Sequence, residues 1–161
     1  MSQSSSPIAR LRRAWEVLSP KPMGKAIFSR LFGVLVPYTG SIRADVLELR
    51  PGYAKLLMRD RRKLRNHLNS VHAIALLNLA EATSGLAMNF GLPDSARAIV
   101  TNLSMAYTKK ARGPITGECD IAIPDCSVSA EHQIQAVLRD AAGDVVATAT
   151  ATWLVGPRPT N

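Results

Sequence analysis

The stretch from Ala73 to Phe90, AIALLNLAEATSGLAMNF, constrains the fold more than any other part of the chain. It predicts a helix that is apolar nearly all round, and such a helix has to be buried rather than laid on a surface. Gly91 and Pro93 close it. One carboxylate, Glu81, interrupts the run. Burying an unpaired charge costs several kcal/mol, to order of magnitude, unless a partner or an interface relieves it. Asn78, Glu81 and Gly85 stand three and four residues apart and so share one narrow stripe. That stripe either faces solvent or lines a site.

The flanking sequence supplies strands to cover the helix. Ile42 to Leu49 and Tyr53 to Met58 read as two strands around the Pro51-Gly52 turn. After the helix, four more are expected: Ala98 to Tyr107, Pro114 to Ile123, Ile134 to Leu138, and the closing VVATATATWLV. In that last strand Ala147, Ala149, Ala151 and Trp153 point one way and Thr148, Thr150 and Thr152 the other. Residues 141–144, Ala-Ala-Gly-Asp, form the hairpin turn before it. The expected class is α+β, a mostly antiparallel sheet with one central helix.

Two helices come first. Ile8, Leu11, Trp15 and Leu18 recur at helical spacing from Pro7 to Leu18. In the second helix Ile27, Leu31 and Leu35 form one face, with Phe28 and Phe32 beside them, and Pro37 ends it. The expected arrangement packs both helices on their own domain or on a partner subunit. A membrane surface is the alternative, because Arg10, Arg12, Arg13, Lys21, Lys25 and Arg30 surround the apolar faces. Residues 1–40 therefore read as a helical extension, with residues 2–6 loose, and 41–161 as the main domain.

With a formal net charge of +8, the chain favours an anionic partner. Only 5% of residues are aromatic, which gives single-stranded nucleic acid few stacking platforms. No nucleic-acid partner is expected. Cys119 and Cys126 lack metal-ligand spacing and read as reduced structural thiols, so no metal is expected. The start, MSQSSSPIARLRR, has no apolar signal core. Apolar stretches fall short of the roughly 20 residues that span a bilayer, so no stable membrane insertion is expected and the compartment reads as cytoplasmic.

The helix start carries the other chemistry. Asn69 and Ser70 are good N-cap types, which places free backbone N–H groups around His72 to Ile74. Such a terminus can hold an oxyanion, with His72 and Asn66 flanking it; the alternative is that His72 only finishes the cap and Asn66 only makes a turn. Glu81 lies eight residues beyond Ala73, roughly 12 Å along one helix. One carbonyl cannot meet both groups of the same helix. If both act on one substrate, they come from two subunits.

Asn66, His72 and Glu81, opening a long apolar helix between strands, resemble the motif of the hotdog-fold acyl-CoA thioesterases, nearest the phenylacetic-acid-degradation type. VPYTGS, RNHLNSVHAIALLNLAE and YTKKARG are similar to a bacterial branch of that superfamily, over roughly residues 37–155. The resemblance implies an antiparallel sheet wrapped around the helix and a homodimer or a dimer of dimers. It implies that the Ala73 N–H polarises the thioester carbonyl and that Glu81 is nucleophile or general base. Asn66 would position that acid or the attacking water, His72 would sit beside the thioester, and Thr101 on the next strand would assist. Coenzyme A enters as part of the substrate, with no separate cofactor. Arg62 and Lys63 before the motif, and Lys109, Lys110 and Arg112 after the helix, would hold its phosphates. The family usually has glycine after the histidine, where this chain has Ala73-Ile74, and commonly glycine where Asn69 stands.

The expected function is hydrolysis of fatty or medium-chain acyl-CoA, in an apolar tunnel between subunits. The alternative is a hotdog protein that holds acyl-CoA or a lipid without hydrolysing it. Nucleic-acid binding through RDRRKLR and a dehydratase reading rank below both.

Overall fold

The structure is a computed structural model and describes residues 7–159, so the expectation for residues 2–6 lies outside the described residues. Its elements run α1 (Pro7–Leu18), α2 (Gly24–Leu35), the short α3 (Pro37–Gly40), β1 (Asp45–Arg50), β2 (Tyr53–Met58), a 3-10 turn at Arg62–Leu64, and α4 (Ala73–Gly91). There follow β3 (Ala96–Tyr107), β4 (Ile115–Asp120), β5 (Ala130–Arg139) and β6 (Val145–Pro157). All six strands form one antiparallel sheet in the order β1-β2-β4-β5-β6-β3. The connection from β2 to β3 reaches the far edge of the sheet and carries α4 across its face. This is the hotdog fold, a sheet curved around one helix.

The helix fits because the facing strands are built from small residues. Ala147, Ala149 and Ala151 of β6 are buried, while Thr148 and Thr150 on the alternate face are half-buried. A Cβ on Gly117 of β4 would stand 2.7 Å from Thr83 Oγ1 of α4, so only glycine lets strand and helix approach this closely. Leu79, Ala80, Ala87 and Met88 fill the space between them with no exposed surface. Each fully buried Leu or Met contributes about 1.5–3 kcal/mol of transfer free energy.

Three expectations need correction. β1 starts at Asp45, because Ile42 and Arg43 complete backbone turns to Thr39 and Gly40 and Arg43 has a φ of 47°. β4 stops at Asp120; Ile121 donates back to Gly52, and residues 121–126 run irregularly past Pro124. The third concerns α2, which buries Phe28 and Phe32 and leaves Ile27, Leu31 and Leu35 exposed. Ser29 fixes that rotation, since its hydroxyl donates to Lys25 O and accepts from the Val46 N–H of β1.

α1 docks at the far end of α4. Arg12 reaches the carbonyls of Asn89 and Leu92 and pairs with Asp94 at 3.2 Å. Those carbonyls lie in and just past the last turn of α4, where a helix lacks its own donors.

Candidate functional site

Glu81 lies half-buried midway along α4 and lines a cavity of about 580 Å³. Leu11 of α1, Phe32 and Leu35 of α2, Gly85 and Leu86 of α4, and Trp153 of β6 share its walls. Among the described residues no hydrogen bond or ion pair reaches the Glu81 side chain. Burial therefore pushes its carboxyl above the ordinary glutamate range. Gly85, one turn on, keeps this wall open: a Cβ there would stand 3.2 Å from the Trp153 ring and 3.8 Å from Glu81 Oε1. Trp153 is 4% exposed, and its indole N–H has no acceptor among the described residues.

The expected stripe shifts by a turn. Asn78 does not line the cavity; it is buried and donates to Tyr38 O at 3.2 Å, tying α3 to α4. The cavity wall runs through Glu81, Gly85 and Asn89 instead.

The helix starts at Ala73 as expected, and of the two cap readings the structure has the histidine. Asn69 and Ser70 lie outside the helix, and His72 is the N-cap, its Nδ1 accepting from the Ile74 N–H at 3.1 Å. Ala75 and Leu76 donate to the His72 carbonyl. The Ala73 N–H has no acceptor among the described residues. Asn66 holds the preceding loop: its Oδ1 accepts from the Leu68 and Ser70 N–H groups and the Ser70 hydroxyl. Asn69 has a φ of 56°, a left-handed conformation that glycine adopts freely and asparagine tolerates. That accounts for an asparagine where the resembling family commonly has glycine.

A second pocket, of about 360 Å³, opens at this end, lined by Asn66, Ser70, Ala73, Leu76, Tyr107 and Lys110 among others. It shares no lining residue with the Glu81 cavity. One chain therefore holds a donor pocket and a separate carboxylate cavity on the same helix. His72 is exposed and does not line either one.

Thr101 lies on β3 away from the helix start within its own chain. Thr101 Oγ1 donates to Glu131 Oε1 at 3.0 Å and lies on the exposed side of β3, lining neither pocket. Tyr107, further along β3, lies at the helix start, its hydroxyl donating to Ala73 O at 3.2 Å.

The bases also divide. Lys109 is held by Asp140 at 2.6 Å and Asp144 at 2.7 Å, which removes it as a free phosphate ligand. Lys110 borders the donor pocket, and Arg112 is exposed nearby in sequence. Arg62 and Lys63 project from the 3-10 turn. None of these last four has an ion pair among the described residues. Cys119 is inert, its thiol pushed up to about 12 by burial. Among the described residues no cluster of His, Cys, Asp or Glu could hold a metal ion.

Sheet order and central helix together define a hotdog-fold protein. More narrowly, residues 24–155 match the family described as a domain of unknown function, DUF4442, and the chain belongs to it. No curated protein matches. Among solved structures, a structural-genomics crystal structure is 28% identical, covering 95% of this chain and 100% of its own, with a TM-score of 0.81. A Pseudomonas aeruginosa protein, described as of unknown function and a probable thioesterase, is 24% identical over 81% of this chain and 93% of its own, with a TM-score of 0.74. A thioesterase family protein from Silicibacter pomeroyi is 18% identical over 81% and 96%, with a TM-score of 0.69.

Proposed function

We propose that the protein is a thioesterase acting on acyl-CoA, with its site assembled from two copies of the chain. One observation carries the reading: a single helix presents an unpaired N–H at its start and an unpaired carboxylate two turns on, in pockets that do not meet. An antiparallel pairing of two such helices would bring the N–H of one copy to the carboxylate of the other. β3 supports the pairing. It is a 12-residue strand at the sheet edge with one side unpaired, and such edges pair with another chain unless blocked. The thioesterase relatives of the same fold support the reaction class.

In this site the Ala73 N–H binds the thioester oxygen and stabilises the oxyanion as attack proceeds. Glu81, its proton affinity raised by burial, takes a proton from water. The hydroxide equivalent attacks the carbonyl carbon, and the proton passes to the departing coenzyme A sulfur. Direct attack by Glu81 gives a mixed anhydride that water then cleaves, with the same net balance. Asn66 and Tyr107 hold the loop and the helix start in place. Lys110, Arg112, Arg62 and Lys63 are the free bases for the coenzyme A phosphates. The walls of the Glu81 cavity, mainly aliphatic apart from Phe32 and Trp153, favour a fatty or medium acyl chain over an aryl group.

A panel of acyl-CoA thioesters, read by release of free thiol, tests the reading. Wild type turns over and Glu81→Gln does not. The second reading, acyl-CoA held without hydrolysis, draws on Ala73-Ile74 standing where the resembling family usually has glycine. Tight binding with no turnover across the panel selects it.

A further inference from the structure

α2 has two apolar faces, and the fold uses only one. Phe28 and Phe32 pack inward. Met23, just before the helix, and Ile27, Leu31, Val34 and Leu35 form the adjoining face, with Met23 78% and Val34 76% exposed. No helix among the described residues is long and apolar enough to cross a membrane, so the face does not belong to a spanning segment.

Charge identifies what covers it. Residues 7–40 contain six bases (Arg10, Arg12, Arg13, Lys21, Lys25, Arg30) and one acid, Glu16, a net of +5 (6 − 1). Arg12 is committed to Asp94 and Lys25 to the Leu47 carbonyl. Arg10, Arg13, Lys21 and Arg30 are exposed with no ion pair among the described residues. A second copy docked face to face on α2 would set this basic rim against its own like charge; the pairing proposed above runs through β3 and α4 instead. An aliphatic face rimmed by unpaired bases instead matches an anionic bilayer surface, with acyl tails for the apolar side chains and phosphate headgroups for the bases.

The face also continues into the Glu81 cavity. Leu31, Val34 and Leu35 line that cavity from α2, and Arg10 from α1. We infer that α1 and α2 are a peripheral docking surface for anionic lipid, placing the mouth of the Glu81 cavity at the membrane interface. Docking is reversible and does not require hydrolysis.

Flotation of the full chain with vesicles tests it, using phosphatidylglycerol mixed into phosphatidylcholine against phosphatidylcholine alone. The chain floats with the anionic vesicles at least about tenfold more than with the neutral ones. Binding collapses in about 1 M salt, where the screening length is about 3 Å. Ile27→Asp with Val34→Asp abolishes flotation, and Arg13→Glu with Arg30→Glu reduces it about tenfold or more. These positions are solvent-exposed, and circular dichroism checks that each variant folds. Val128→Asp, an exposed aliphatic position outside the two helices, still floats. Three outcomes would overturn the inference. One is no preference for anionic vesicles. Another is flotation that survives Ile27→Asp with Val34→Asp, which assigns the bases alone to some other acidic surface. The last is a change of oligomeric state in that variant by sedimentation, which makes the face a protein interface.

Discussion

At the scale of single residues, Glu81 carries the most consequence because nothing in its own chain neutralises it. Its raised pKa means that the folded protein binds this proton more tightly than the unfolded chain does. Stability linked to the group is therefore full below the ordinary glutamate pKa of about 4.3 and falls as pH rises toward the raised value. Glu81→Gln removes that loss: its Tm exceeds wild type at neutral pH and converges with it near pH 4, by thermal melts across pH. The same variant loses about 10²–10⁴-fold in kcat. In wild type, kcat/KM declines as acidification protonates Glu81. Ala73 allows a cleaner deletion. Proline is tolerated at the first helical position, and the φ of −64° and ψ of 137° at His72 already suit the residue before a proline. Ala73→Pro removes one N–H and keeps the helix. It lowers kcat about 10²–10³-fold with unchanged helical content by circular dichroism.

At the scale of elements, α4 and β6 were legible because each has one pattern with one solution. A helix apolar on all sides has only the interior to occupy, and strict alternation of Ala and Thr allows only one face of β6 to meet it. α2 and β3 were not legible, for separate reasons. α2 carries two apolar stripes, and periodicity alone does not choose between Ile27/Leu31/Leu35 and Phe28/Phe32; the Ser29 hydroxyl bond to β1 does. β3 contains a bulge between Val100 and Asn102. One extra residue reverses the facing of everything beyond it. Thr101 and Tyr107, six apart, would share a face in a regular strand. The bulge sends Thr101 outward to Glu131 and Tyr107 inward to Ala73. The tightest element contact is also testable. Gly117→Ala pushes a methyl group into Thr83 and destabilises the fold by about 1–3 kcal/mol, read by denaturant titration.

At the scale of the whole molecule, the proposed function treats Ala73 and Glu81 as two half-sites that only a second copy completes, and this is testable. Mixing Glu81→Gln with Ala73→Pro, each inactive alone, restores one intact site per mixed dimer. With random assortment, about a quarter of wild-type activity returns. A site contained within one chain recovers nothing. Half of this geometry was open to sequence, because eight residues of helix are a fixed length. The walls of the Glu81 cavity were not, because α1 and α2 reach it through tertiary contacts that leave no local pattern. Arg12 is the clearest such contact. By bonding to the carbonyls of Asn89 and Leu92, it fastens the first helix to the end of the helix that carries Glu81. Any force that lifts α1 must first uncap α4. The α1 wall of the Glu81 cavity is therefore tied to the helix that carries its carboxylate, and displacing α1 costs the bonds that close the end of α4.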